Sequence, residues 1–221
     1  MMIRLGNFLF HWRNKLFPLA ALMFLVPSPR IMARDDIPLL VGVSILLAGQ
    51  MLRVLTIGLD YIRRGGKNQR IHADDLVTTG VFAHVRNPMY VGNVLMIIGF
   101  GVAVNSLVCL IAGGIMSLTA YQAIVLAEEQ FLTGKFGAAY TNYTANVPRW
   151  FIRTRGLWTT LQAMKFDWRR VLVKEYGTLF NSLAGLPGAL IVRHHLYGWG
   201  NHNLTSSMLV CELWIVVMIV F

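Results

Sequence analysis

The chain has 221 residues, of which 56% are hydrophobic and only 14% are charged, and its mean hydropathy is +0.56. A soluble domain normally carries about 25% charged residues, so an ordinary soluble protein is excluded. The apolar runs are continuous rather than alternating, which excludes a β-barrel. The formal net charge is +10. The basic residues lie between the apolar runs, where such residues orient helices and contact anionic headgroups. We therefore expect a bilayer, and no nucleic acid, as the partner of that charge.

Two apolar segments come first along the chain. The first, Leu16–Val26, is short and is followed by prolines, whereas the second, Ile37–Leu59, is long enough to cross a bilayer, which takes roughly 20 helical residues. Arg53 is the single charge in the second segment. Its side chain either extends to the headgroups or faces a polar cavity.

A tight helical hairpin is predicted in the middle of the chain. Two apolar runs, Val91–Val104 and Leu107–Ala127, are separated only by the uncharged pair Asn105-Ser106. Before the hairpin, Asn87 is a good N-cap and Pro88 suits a first helical turn. A polar loop, Asp60–Asp75, and a mixed connector lead into it.

Two adjacent carboxylates, Glu128 and Glu129, end the hairpin. On a helix they point about 100° apart, so one can face a cavity while the other faces solvent. Acids at a helix C-terminus oppose the macrodipole, which favours a specific cationic partner. The tyrosines that follow, Tyr140 and Tyr143, are typical in isolation of anchors at a membrane surface.

Basic residues predict the orientation of the chain. They cluster in the N-terminal tail, in the loop before the hairpin and in the segment after it, which places all three on the cytoplasmic side if the first two segments both span. We expect residues 1–155 to form a transmembrane core, and 156–221 to add an amphipathic segment and one or two further apolar helices. The chain ends inside an apolar run, a pattern consistent with truncation. No metal site is expected, because His194, His195 and His202 match no standard ligand spacing.

The joint pattern resembles one family of membrane enzymes. It consists of LVTTGVF, VRNPMYVG, an apolar hairpin, EEQFLTGKFGAAYTNY and VPR, over Gly49–Phe151. This pattern resembles the isoprenylcysteine carboxyl methyltransferases and the related phospholipid N-methyltransferases. The resemblance implies an all-α, multi-pass transmembrane bundle that uses S-adenosyl-L-methionine. It places the cofactor pocket on the cytoplasmic face, around the hairpin.

The resemblance also implies which residues hold the cofactor. Glu128 matches the cofactor-binding glutamate, with Glu129 as its neighbour, and Tyr140 follows in the same pattern. The other implied cofactor-binding residues precede or open the hairpin: Lys67, Asp74, Asp75, Leu76, Val77, Phe82, Asn87, Pro88, Met89 and Tyr90. His84 lies in the same stretch and could approach the cofactor.

Two departures from the family pattern affect the acceptor. Asn87 stands where the family usually has a histidine. It keeps a hydrogen-bonding group but does not titrate near neutral pH. Ile124 stands where the carboxyl methyltransferases carry an arginine, one turn before the glutamate. Arg86 and Arg149 are the candidates to replace that cation, and with Glu128 they form the predicted catalytic set.

The predicted reaction is methyl transfer to a lipid or a lipid-attached acceptor. An isoprenylcysteine-like carboxylate is favoured, and a phospholipid amine of the phosphatidylethanolamine type is the alternative. Two other classes stay open. A sterol-reductase-like enzyme would use NADPH, and a non-catalytic membrane protein would act through its C-terminal segments.

Overall fold

The computed structural model describes residues 1–19, 23, 26–59, 64–67 and 70–197. Within these ranges the chain is mostly helical, with one antiparallel strand pair, β1 (Arg64–Lys67) and β2 (Arg70–Ala73). The helices are α1 (Met2–Leu19), α2 (Asp36–Leu59), α3 (Pro88–Ala103), α4 (Leu107–Phe136), α5 (Ala138–Asn146), α6 (Leu157–Ala163) and α7 (Trp168–Tyr197). The apolar stretch predicted after residue 202 lies outside the described residues.

The predicted helices of the central region are confirmed. α2 covers the second apolar segment, and α3 and α4 form the two arms of the hairpin. In the described part of the chain, α2 and α4 are long and apolar enough to cross a bilayer, and α3 is a shorter apolar helix. The first segment differs from the prediction, since α1 already begins at Met2. Phe10 explains this start, because it is buried against Tyr121 and Ile124 of α4.

Glycines bring α2 and α3 into close contact. A Cβ on Gly42 would lie 2.2 Å from the Ala103 nitrogen, and one on Gly49 would lie 2.6 Å from the Gly92 carbonyl oxygen. A Cβ on Gly99 would lie 2.5 Å from the Leu46 nitrogen. Small residues let backbones approach where lipid supplies no hydrophobic driving force between helices. This helix pair therefore depends on the absence of side chains at these positions.

Asn105 holds the tip of the hairpin. Its φ of 50° lies in the left-handed region, which asparagine tolerates better than most residues. Its Oδ1 accepts hydrogen bonds from the Ile31 and Met32 backbone nitrogens, both at 3.0 Å. Its Nδ2 donates to the Asp35 carboxylate at 2.7 Å. One side chain thus fastens the segment before α2 to the turn between α3 and α4.

The Asn105→Ala variant should lose about 3 kcal/mol of unfolding free energy, because several partly buried hydrogen bonds and a left-handed residue are affected together. Denaturant titration of the purified protein in detergent measures this loss. Asn146→Ala is the control, since Asn146 is exposed and, among the described residues, its side chain bonds only to Asn142 in the same helix. Equal stability of the two variants would contradict the role given to Asn105.

The C-terminal region adds a long helix against the hairpin. The amphipathic stretch and the apolar stretch that follows it are largely covered by α6 and by one continuous helix, α7. Ala189 of α7 packs in a cluster with Val104 and Cys109 at the hairpin tip. A Cβ on Gly185 would lie at ordinary contact distance, 3.7 Å, from the Phe100 ring. α7 therefore packs against the hairpin tip, and it also contacts α2.

Candidate active site

Glu128 lies at the foot of the hairpin, about two turns before the end of α4 at Phe136. The prediction that the helix ends at the Glu pair is therefore wrong. Its side chain is buried, with 8% exposure. The Tyr90 hydroxyl, on the first turn of α3, donates a hydrogen bond to its Oε1 at 2.6 Å. The Tyr90 ring lies against the Tyr121 ring, with 5.2 Å between centroids. Across the described ranges no basic side chain forms an ion pair with Glu128.

Glu129 is surrounded differently, because both predicted catalytic arginines bind it. Arg86 Nη1 lies 3.0 Å from Glu129 Oε1. Arg149 approaches with two groups, Nε at 3.0 Å from Oε1 and Nη2 at 2.6 Å from Oε2. The hydrogen bond with the Glu129 carboxylate raises the pKa of Arg149 above its usual value. The structure thus joins the two arginines in one ion cluster that links the loop before α3 to the segment after α5.

Asn87 stands at the N-cap position of α3, but its side chain does not cap the helix. Its Nδ2 instead donates to the Arg149 carbonyl at 3.2 Å. The Arg86 nitrogen also donates to the Pro148 carbonyl at 2.9 Å. The predicted capping bond is therefore wrong, although Pro88 occupies the first turn as expected. Asn87, like the ion cluster, therefore links the loop before α3 to the segment after α5.

His84 and Phe82 belong to the core rather than to an open pocket wall. His84 is buried, and its Nδ1 and Nε2 are engaged by the Arg153 carbonyl at 2.8 Å and the Thr160 hydroxyl at 2.9 Å. Phe82 is 2% exposed, and its carbonyl accepts a hydrogen bond from the Tyr143 hydroxyl at 2.8 Å. These contacts fix the connector against the segments that follow α4.

Tyr140 and Tyr143 are buried, so the expectation that they anchor at the membrane surface is wrong. Gly137 has a φ of 52° and ends α4, which lets α5 turn back. The two tyrosines then share one face of α5 and pack into a cluster with Ala73 and Leu132. Their position on a short helix that folds back over the core gives no local sequence signal.

The remaining predicted cofactor residues surround this cluster. Leu76 packs against it, whereas Asp74 and Asp75 are exposed, and His72 Nε2 lies 3.0 Å from Asp74 Oδ1. Two more residues, Val77 and Met89, are half-buried. Lys67 is described only as the last residue of β1, and its side chain lies outside the description.

A cavity of about 400 Å³ lies between α1, β2 and α4. Its lining includes Phe10 and His11 of α1, Ile71 of β2, and Gln130 and Phe131 of α4. Small-molecule sites commonly occupy about 300–1,000 Å³. The sequence did not indicate that α1 contributes to this wall, because residues on α1 have no motif spacing relative to α4.

No cation stands one turn before Glu128. Ile124 occupies that place, fully buried in a cluster with Phe10 and Tyr121. A basic group does lie in the apolar core at Arg53 of α2, whose Nη1 donates to Asn93 Oδ1 on α3. Arg53 is buried and forms an ion pair with Glu175 of α7. The Arg53 side chain is therefore held by polar side chains inside the protein rather than extended away from it.

Comparison with known proteins agrees with the motif pattern. Residues 38–139 match the family model for phospholipid methyltransferase. The chain is 30% identical over 114 residues to the cobalt-zinc-cadmium resistance protein CzcN of Cupriavidus metallidurans, covering 52% of this chain and 47% of that protein. It is 31% identical over 111 residues to the protein-S-isoprenylcysteine O-methyltransferase of Xenopus laevis, covering 49% and 38% respectively. No solved structure gives a significant match.

The matched part of the chain spans less than half the length of both curated relatives. It contains the hairpin, the Arg86–Tyr90 motif and the Glu pair, the features on which the resemblance was based. Residues 38–139 are therefore similar to the family of phospholipid and isoprenylcysteine methyltransferase-like proteins.

Proposed function

We propose that this chain transfers a methyl group from S-adenosylmethionine to an acceptor held in the bilayer. The favoured acceptor group is an isoprenylcysteine-like carboxylate. The observation that carries the proposal is the environment of Glu128, a buried carboxylate whose hydrogen-bond partner is the neutral Tyr90 hydroxyl. The match to the phospholipid methyltransferase family model and the name of the Xenopus laevis relative support the reaction class.

The residues around Glu128, at the foot of the hairpin, fit a cationic cofactor. A buried carboxylate is costly unless a cation or several hydrogen bonds compensate it. S-adenosylmethionine carries both a sulfonium and an ammonium group, and either compensates the charge of Glu128. Glu129 already has two arginines, which favours Glu128 over its neighbour as the carboxylate for the cofactor. The cavity of about 400 Å³ beside α4 is lined by the neighbours of Glu128 on that helix, Ala127 and Gln130, and not by Glu128 itself.

The cofactor supplies an electrophilic methyl group, so the chain itself needs neither a metal nor a strong acid. A carboxylate acceptor attacks directly and needs no base. The side chains then have to align donor and acceptor and exclude water. Tyr121 and Ile124, both buried beside Tyr90, provide an apolar wall for that purpose.

A phospholipid amine is the second candidate acceptor, and the family model's description favours it. An amine must lose a proton before it can attack the methyl group. Glu128 and Tyr90 are 2.6 Å apart and could take that proton at the cofactor. Transfer to a carboxylate would not depend on such a base, so the two acceptors differ in the chemistry required of this pair.

The proposed topology places both feet of the hairpin on the cytoplasmic side. α2 and α4 cross the bilayer and the shorter α3 completes the hairpin. The basic segments before α3 and after α4 then share the side where the cofactor is available. Residues 1–155 form the transmembrane core in this proposal, and the region from 156 onward adds α7 to it.

Binding isotherms on the purified chain test the reaction class. S-adenosylmethionine is expected to bind saturably with a Kd between about 1 µM and 1 mM, the usual range for enzyme substrates. NADPH is expected not to bind, which separates a methyltransferase from a sterol-reductase-like enzyme. Absence of S-adenosylmethionine binding would refute the proposal, and NADPH binding alone would favour the reductase.

A further inference from the structure

A buried charged cluster joins α2, α3 and α7, apart from the Glu128 site. Arg53 of α2 has 9% exposure and Glu175 of α7 has none. Arg53 Nε donates to Glu175 Oε1 at 2.6 Å, and Nη2 donates to Oε2 at 2.8 Å. Gln50, one turn earlier on α2, donates from Nε2 to Oε1 at 2.9 Å. Three donors therefore converge on one carboxylate.

This cluster is connected to Glu128 through side chains. The Arg53 Nη1 donates to Asn93 Oδ1 on α3, and the Asn93 side chain also hydrogen-bonds with the Tyr121 hydroxyl on α4. The Tyr121 ring contacts the Tyr90 ring, and Tyr90 donates to Glu128. Arg53 is thus linked to Glu128 through the side chains of Asn93, Tyr121 and Tyr90.

The depth of Arg53 suits a group that enters from the lipid. It lies six residues before the end of α2 at Leu59, which is about 9 Å at 1.5 Å per residue. Charged residues inside membranes are costly and mark functional sites. A buried ion pair alone contributes little to stability compared with apolar residues of the same volume. The pair therefore needs a reason beyond packing.

We propose that Arg53, Gln50 and Asn93 form the binding site for the carboxylate of the methyl acceptor, and that Glu175 of α7 occupies this site when no acceptor is bound. The inference rests on the proposed methyl transfer and deepens it. It supplies the cation that Ile124 does not provide beside Glu128.

The geometry selects a carboxylate. The Arg53 fork already holds a planar carboxylate in two parallel bonds, the arrangement arginine makes with carboxylates. Gln50 Oε1 is buried and has no hydrogen-bond partner within the described part of the protein. An amide N–H next to the acceptor carboxylate would satisfy that oxygen. The site thus fits an N-acylated, lipid-modified amino acid better than a bare fatty acid.

In this proposal, Glu175 of α7 competes with the acceptor for Arg53. Glu175 must leave Arg53 before the acceptor carboxylate binds, so removing the Glu175 charge should strengthen acceptor binding. A purely structural role for the pair predicts the opposite sign. In that case the Glu175→Gln change would leave Arg53 less compensated, and both stability and acceptor binding would fall.

The test uses the full chain in lipid nanodiscs with N-acetyl-S-farnesylcysteine as the probe. Its carboxamide and phosphatidylethanolamine provide two further arms. We expect Glu175→Gln to lower the Kd for the carboxylate probe about tenfold, and Arg53→Gln to raise it at least about tenfold, from the usual strength of a charge-assisted bond. The carboxamide Kd should stay the same in both variants. Lys174→Gln, which removes one positive charge as Arg53→Gln does, is the control at an exposed position of α7.

The double variant Arg53→Gln/Glu175→Gln keeps the result interpretable if the single variants fold poorly, because it buries no uncompensated charge. It should bind the carboxylate and the carboxamide equally weakly. Retained preference for the carboxylate would overturn the proposal. So would an unchanged or weakened carboxylate Kd in Glu175→Gln, or a gain seen only with phosphatidylethanolamine. The proposed methyl transfer is tested separately, by S-adenosylmethionine binding to the parent chain. If the parent binds this cofactor, only the acceptor-site proposal is overturned. If it does not, the proposed function itself is refuted.

Discussion

The Glu128→Gln variant is expected to bind S-adenosylmethionine about 100-fold more weakly than the parent chain. The change keeps the shape of the side chain and the acceptor oxygen for Tyr90, but it removes the only charge offered to the cationic cofactor in this proposal. Removing one partner of a buried charge pair typically costs about 3–5 kcal/mol. That range corresponds to a factor of 100 or more in Kd. Isothermal titration on detergent-purified protein measures it.

Glu129→Gln is the matched comparison, because it is the same chemical change at the neighbouring residue. Glu129 binds Arg86 and Arg149, so its loss should lower the unfolding temperature and change the cofactor Kd by less than about tenfold. A Glu128→Gln variant that binds the cofactor as tightly as the parent would contradict the assignment of Glu128. Equal losses of affinity in both variants would contradict the division of roles between the two carboxylates.

The Gly99→Leu variant is expected to prevent α2 and α3 from packing. A Cβ at this position would lie 2.5 Å from the Leu46 nitrogen and 2.7 Å from the Gly42 carbonyl oxygen. Both atoms belong to the backbone, so the helices must separate, and overpacking of this kind costs about 3 kcal/mol or more. We expect a large loss of monodisperse protein in size-exclusion chromatography after detergent extraction.

Gly114→Leu is the control for the packing experiment. It places the same side chain on a glycine of α4, where a Cβ would meet no atom within 4 Å. Replacing a helical glycine at an open position should be neutral or stabilising by about 0.5–1 kcal/mol. Similar yields for the two variants would show that α2 and α3 do not depend on their glycine contacts.

The hairpin was predictable because its signals are local. Continuous apolar runs, an uncharged two-residue break at Asn105-Ser106 and Pro88 at a first helical turn each predict structure from neighbouring residues. The end of the apolar run at Ala127 predicts that Glu128 lies at the foot of the hairpin. The positions of Glu128 on α4 and of Tyr90 on the first turn of α3 were therefore predictable from the sequence.

The partners of the charged residues could not be predicted in the same way. Glu175 lies 122 residues from Arg53 along the chain, and Arg149 lies 20 residues from Glu129. Such pairs form because helices pack and bury charges together, and no local spacing encodes that choice. The burial of Tyr143 was unpredictable for the same reason, because it depends on the turn at Gly137 that folds α5 onto the core.

The most direct test of methyl transfer to a bilayer acceptor is mass spectrometry of lipids and lipid-modified peptides. Extracts from cells that produce the parent chain should be compared with extracts from cells that produce Glu128→Gln at equal levels. We predict species heavier by one methyl group in place of hydrogen, present with the parent and absent with the variant, and carried as methyl esters. Identical extracts from the two cultures would contradict the proposed function.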